Sequence, residues 1–134
     1  MRHALLALPL LVAVLASGCA ASSSSGKFSG EEKQVADVVE KLQSAGAKAD
    51  GKTVCDEVLA KSLRDQVQAP GSSCEQEIEK ALKDADDFDL EVEDVTINGN
   101  EATARVKGRV GDGDRVQEFQ FEREGSGWRA TSIG

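Results

Sequence analysis

The stretch "FDLEVEDVTINGNEATARVKGRV", Phe88 to Val110, decides the fold. Apolar residues alternate at Phe88, Leu90 and Val92, then resume at Val95 and Ile97 one position out of phase. Successive strand side chains point to opposite faces, so the slip requires one extra residue, a β-bulge at Glu93-Asp94. The turn signal Asn98-Gly99-Asn100 follows, and Ala102, Ala104, Val106, Gly108 and Val110 then alternate on a second strand. With the bulge and a turn spanning Asn98 to Glu101, Phe88, Leu90 and Val92 oppose Val110, Gly108 and Val106. Val95 and Ile97 then oppose Ala104 and Ala102. On the other face the same register sets Asp89 against Arg109, Glu91 against Lys107 and Glu93 against Arg105, each pair contributing about 0.2–1 kcal/mol. A two-residue Asn98-Gly99 turn would place Glu91 opposite Val106, so the bulged register is the expected one.

Two more strands follow. "GDGD" (Gly111 to Asp114) turns the chain into Gln117, Phe119 and Phe121, and "EGSG" (Glu124 to Gly127) turns it into Trp128 and Ala130. A Gly111–Asp114 loop pairs Val106 with Phe119 and Ala104 with Phe121, and a Gly125-Ser126 turn pairs Phe121 with Ala130. Before Phe88 the period is 3.6. Ser29 and Glu32 have capping-box spacing ahead of the stripe Val35, Val38, Val39 and Leu42. A second helix from about Thr53 carries Val54, Val58, Leu59, Leu63 and Val67, until Pro70-Gly71 breaks it. Ser72 and Glu75 repeat the capping-box spacing before a third stripe, Cys74, Ile78, Leu82 and Ala85. The expected fold class is α+β: N-terminal helices packed on a curved four-stranded antiparallel meander.

Ahead of this domain, Arg2 and His3 precede an apolar run from Ala4 to Ala16, and small residues follow. That order predicts a cleaved secretory signal peptide, and the run is shorter than the ~20 residues a membrane span needs. Its exit, "LASGCA" (Leu15 to Ala20), resembles the lipobox of bacterial lipoproteins. Ser17, Gly18 and Cys19 fit that pattern, while Ala16 stands where the family most often has Leu. The resemblance implies a signal peptide over residues 1–18, lipidation of Cys19 by diacylglycerol and an N-acyl group, and a cell-membrane location on the extracytoplasmic face. Residues 19–28 would form a Ser-rich tether and residues 29–134 the folded domain. The whole chain carries 24 acidic against 16 basic residues, a formal charge of −8. An acidic surface speaks against nucleic acid and against electrostatic docking on anionic lipid.

Three helices followed by a bent meander ending in "GSGWRA" (Gly125 to Ala130) is similar to the NTF2-like (cystatin-like α+β cone) superfamily. "DGKTVCDEVL" (Asp50 to Leu59), "SSCEQEI" (Ser72 to Ile78) and "VTINGNEATARV" (Val95 to Val106) carry the likeness too. The superfamily holds ketosteroid-isomerase-like enzymes, dehydratases and non-catalytic binding modules, and some relatives pair through the sheet face as homodimers. Fold alone does not choose among these.

With Cys19 committed to lipid, Cys55 and Cys74 form an even remainder in an exported chain, which predicts a disulfide between them. A redox pair would favour CxxC spacing, and zinc would need further Cys or His ligands. Seven carboxylates crowd "KDADDFDLEVED" (Lys83 to Asp94). Asp84 and Asp86 match the start of an EF-hand loop, but Phe88 and Val95 occupy ligand positions, so no metal and no other cofactor is expected. The sheet face predicted to point inward reads Phe88, Leu90, Val92, Val106, Phe119, Phe121 and Trp128, with Gln117, Arg123 and Ser132 as its polar members. Phe88, Leu90, Val106, Phe119, Phe121 and Trp128 are the candidate pocket lining. No carboxylate base stands among them, the chain has no Tyr, and its one His lies in the leader. No catalytic residue is assigned. The expected activity is binding of a small apolar ligand or an envelope protein partner. A small isomerase or dehydratase and a structural envelope module acting as a sheet-face homodimer remain the alternatives.

Overall fold

A computed structural model describes residues 24–85, 88–110 and 113–134. The expected signal peptide over residues 1–18, Cys19, and the first part of the expected tether lie outside the described residues. Helices come first and a four-stranded antiparallel open sheet follows, in the order β1-β2-β3-β4. A 3₁₀ turn, Ser24–Lys27, leads into α1 (Gly30–Ala47). Then come α2 (Gly51–Thr53), a π-helical turn (Val54–Val58), α3 (Lys61–Val67) and α4 (Cys74–Lys83). The strands are β1 (Leu90–Asn98), β2 (Glu101–Val110), β3 (Gly113–Glu124) and β4 (Gly127–Ile133).

The β1/β2 register is the one the phase slip requires. Leu90 pairs with Gly108, Val92 with Val106, Val95 with Ala104 and Ile97 with Ala102, with the bulge between Val92 and Asp94. A one-residue error here would turn every apolar side chain to the wrong face. Lys107 Nζ lies 3.2 Å from Glu91 and an Arg105 nitrogen 3.8 Å from Glu93. The expected Asp89–Arg109 pair does not form. Asp89 precedes β1, and Arg109 instead sits opposite Asp114 of β3, 3.9 Å away.

The β2/β3 register differs from expectation by two residues. Ala104 pairs with Phe119, Ala102 with Phe121 and Val106 with Gln117, because Val110 already pairs with Gly113 across a shorter connection. A two-residue shift keeps every side chain on its face, so the inward set survives. On β4, Phe121 pairs with Ala130 as expected, but a second irregularity then pairs Gln120 with Ser132 and Phe119 with Ile133. The bulge turns Ser132 off the inner face and puts Ile133 there instead.

The helical region departs further from its stripe. The second helix is two pieces: Leu59 is extended (φ −81°, ψ 137°) and bridges Ala130 of β4 in parallel, and Ala60 N–H donates to the Ala130 carbonyl at 2.8 Å. Both residues are buried, and Leu59 thereby joins the core rather than one side of a long helix. The Ser29 side chain makes no capping bond among the described residues, although Ser29 does precede α1. The capping box before α4 forms one residue later than expected, from Ser73 and Gln76. Ala85 falls past the helix and is exposed.

The core joins Val35, Val38, Val39 and Leu42 of α1 to Val54, Val58 and Leu59, and to Val92, Val106, Phe119, Phe121 and Trp128 of the sheet. Trp128, the single Trp of the chain, is buried against this layer, and the Arg123 guanidinium stacks 4.6 Å from its ring centre. Phe88 lies on α1 because position 46 is glycine: a Cβ there would stand 2.3 Å from the ring.

Candidate functional site

Between α1, the π-helical turn and α4 on one side and the sheet on the other lies an apolar groove of about 260 Å³. Its position follows from the elements around it. α1 contributes Leu42 from its buried stripe, and Val54 and Leu59 line it from either end of the π-helical turn. α4 contributes Ile78, Ala81 and Leu82. This helix buries only Leu82 fully, and its half-buried Ile78 packs at the margin of the core, so its apolar face borders both core and groove. The sheet supplies Phe88 and Leu90 at the entry to β1, Gln117 and Phe119 from β3, and Ile133 from β4. Leu90 is held by its backbone N–H, which donates to the Gln43 side chain at 3.0 Å.

Gln117 is the polar residue among the described lining residues, and none of those residues carries an ionisable side chain. Its carboxamide offers one donor group and one acceptor without charge. Such a lining excludes water from an apolar guest and orients at most one uncharged polar group; it supplies no proton donor, base or nucleophile of its own. The groups whose protonation is shifted lie elsewhere. Asp50 is held below the usual carboxylate range because it accepts from Thr53 N–H (3.0 Å) and Thr53 Oγ1 (2.7 Å). Lys52 and Lys107 are pushed up by hydrogen bonds to Asp56 and Glu91. These are surface caps and pairs.

Of the six candidate lining residues, Phe88, Leu90 and Phe119 meet in the groove. Val106, Phe121 and Trp128 sit in the packed core behind it, each no more than 2% exposed. The alternation that places all six on one sheet face carries no information about which of them the helices cover. Ile78 and Leu82 were visible only as part of a helical stripe, Ala81 stood outside that stripe, and Ile133 enters through the β4 bulge. Gln117 belongs to the predicted inward parity.

Cys55 and Cys74 are joined by a disulfide, with Cα atoms 6.2 Å apart. It ties the π-helical turn to the first residue of α4 and lines a second, polar cleft of about 330 Å³ that it shares with Lys52, Lys61 and Arg64. A cross-link closing a loop of this size contributes about 3 kcal/mol in the chain-entropy model. Among the described residues no three Cys, His, Asp or Glu side chains gather as metal ligands. Asp86, from the acidic run, lies outside them, as does Cys19. No described helix is long and apolar enough to cross a membrane.

No protein-family model matches the chain, and no curated protein matches it in sequence.

Proposed function

We propose that the protein is a lipid-anchored lipoprotein on the extracytoplasmic face of the cell membrane, whose NTF2-like domain holds a small, uncharged apolar ligand without transforming it. The observation that carries the binding reading is the groove's lining: apolar side chains from six separate elements converge on it, with a neutral carboxamide as the polar contribution. Catalysis of the isomerase or dehydratase kind draws no support from this lining, because such chemistry needs a carboxylate of raised pKa beside the substrate. The outer face of the sheet carries the Glu91–Lys107 and Glu93–Arg105 pairs, chemistry suited to water, so sheet-face pairing is not part of the proposal. The anchoring reading rests on the leader and on Ser17-Gly18-Cys19.

The binding test uses the full chain carrying Cys19→Ser and the neutral fluorescent probe N-phenyl-1-naphthylamine. Saturable binding at one site is expected. Ala81→Arg should abolish it with little change in melting temperature, since Ala81 is exposed at the groove rim and Arg is a good helix former. Equal binding by both chains, or none by either, would remove the reading. Anchoring has its own readout: labelled fatty acid should enter the wild-type protein and not Cys19→Ala.

A further inference from the structure

α4 is the wall of the groove least attached to the rest of the fold. It packs mainly on α2, the π-helical turn and α3, while the groove separates its Ile78-Leu82 face from the sheet. Two fastenings near its N-terminal half hold it. One is the close approach of Gly51 to the backbone of Glu75 and Glu79, and the other is the Cys55–Cys74 link. Cys55 is buried, but Cys74 is partly exposed, and the disulfide lines a cleft that opens to solvent. Cys74 is also the first residue of α4, where the helix end favours a thiolate. In the cleft, Lys52, Lys61 and Arg64 stand among Asp56, Asp65 and Glu75, so its three basic and three acidic side chains offset one another.

From this placement we infer that the Cys55–Cys74 disulfide is a redox-sensitive clip: reduction by a dithiol donor frees α4 and loosens the groove's hold on its apolar ligand. The inference rests on the groove being a ligand site. The chemistry balances as two thiol–disulfide exchanges. A donor thiolate attacks the accessible Cys74 sulfur, the S–S bond breaks, and Cys55 leaves with the electron pair and takes up a proton. The donor's second thiol then attacks the mixed disulfide and releases Cys74 as a thiolate. The donor ends as a disulfide, having supplied two electrons to the pair; one of its protons goes to Cys55 and the other to solvent, while Cys74 stays a thiolate. Val54 and Leu59, at either end of the freed turn, and Ile78 and Leu82 of α4 all line the groove, so separating the two elements widens it.

The test takes the full Cys19→Ser chain through a series of oxidised and reduced dithiothreitol ratios. It counts free thiols by alkylation mass, follows hydrogen exchange element by element, and titrates N-phenyl-1-naphthylamine. When both thiols are free, exchange should rise in α4 and the π-helical turn while β2 and β3 stay protected, and probe affinity should fall about tenfold or more. The chain carrying Cys55→Ser and Cys74→Ser as well should match the reduced form without reductant. Two free thiols with α4 still protected would overturn the clip, and so would loss of protection across the whole sheet, which would make the link a general staple. If α4 responds locally but the oxidised chain never binds the probe, the clip stands and the ligand reading fails.

Discussion

Replacing Gly51 by Ala separates what local propensity predicts from what the packing predicts. Gly51 is the first residue of α2, and glycine in a helix is about 0.5–1 kcal/mol worse than alanine. On propensity alone Gly51→Ala stabilises the protein. In the fold, a Cβ at this position would lie 2.5 Å from the Glu75 carbonyl oxygen and 2.9 Å from the Glu79 nitrogen. Both are backbone atoms of α4, so no side chain can swing aside. The two helices must part by roughly 1 Å to reach ordinary contact distance. The disulfide at Cys74 resists that motion at the end of α4 nearest the clash. Overpacking of this kind costs about 1–3 kcal/mol, and subtracting a propensity gain of about 0.5 kcal/mol, the low end fitting a three-residue helix, leaves about 0.5–2.5 kcal/mol of net destabilisation. For a domain near 100 residues that lowers the melting temperature by roughly 2–20 °C. The assay is reversible urea unfolding followed by Trp128 fluorescence, with an unchanged slope showing that the unfolded state is unaltered. Gly127→Ala is the control, since a Cβ there would meet nothing closer than Arg129 Nη1 at 4.0 Å. A Gly51→Ala chain as stable as the parent would refute the reasoning.

Three further outcomes follow from the same structure. Leu59→Ala should cost about 2–5 kcal/mol in urea unfolding, because Leu59 is 1% exposed and seats the chain against β4; a loss under about 1 kcal/mol would mean the site collapses freely. The Asp50 carboxyl is held below its unfolded value, so its contribution is present above the ordinary carboxyl range and is lost as pH falls through the depressed value. Asp50→Asn should therefore flatten the fall in melting temperature below about pH 4, and an unaltered acid limb would contradict this. Arg123→Ala removes the guanidinium over Trp128 and the Arg123–Glu31 pair, and should cost about 0.5–1 kcal/mol with a shift in Trp128 emission; unchanged emission would show the stacking to be absent in solution.

The β1/β2 hairpin was legible because parity made it so: only a bulge near Glu93 keeps Val92, Val95 and Ile97 on one face, and the charges of Glu91 and Lys107 agree with that register. The same logic is blind to a two-residue shift, which is why the β2/β3 pairing was read with too long a turn. Parity also failed at Ser132, where nothing local marks the β4 bulge. Helix positions were readable, but continuity was not. Val54, Val58, Leu59, Leu63 and Val67 keep helical spacing straight through the break, and what extends Leu59 is Ala130, a partner far along the chain. Ser72 with Glu75 was the expected capping box; Ser73 with Gln76 keeps the same spacing one residue on, and spacing alone does not rank the two. Half of the candidate lining was found for a related reason. Alternation reports the inward face of the sheet, whereas the groove is defined by where α4 stops covering it.

Both margins of the sheet are obstructed, by different means. Along β4, Leu59 and Ala60 occupy the hydrogen-bonding side at Ala130. Along β1, the bulge at Glu93 breaks the ladder's rhythm amid Glu91, Glu93 and Asp94, whose charges repel a like neighbour. A sheet hindered at both margins in this way can be crowded without templating its neighbours into fibres.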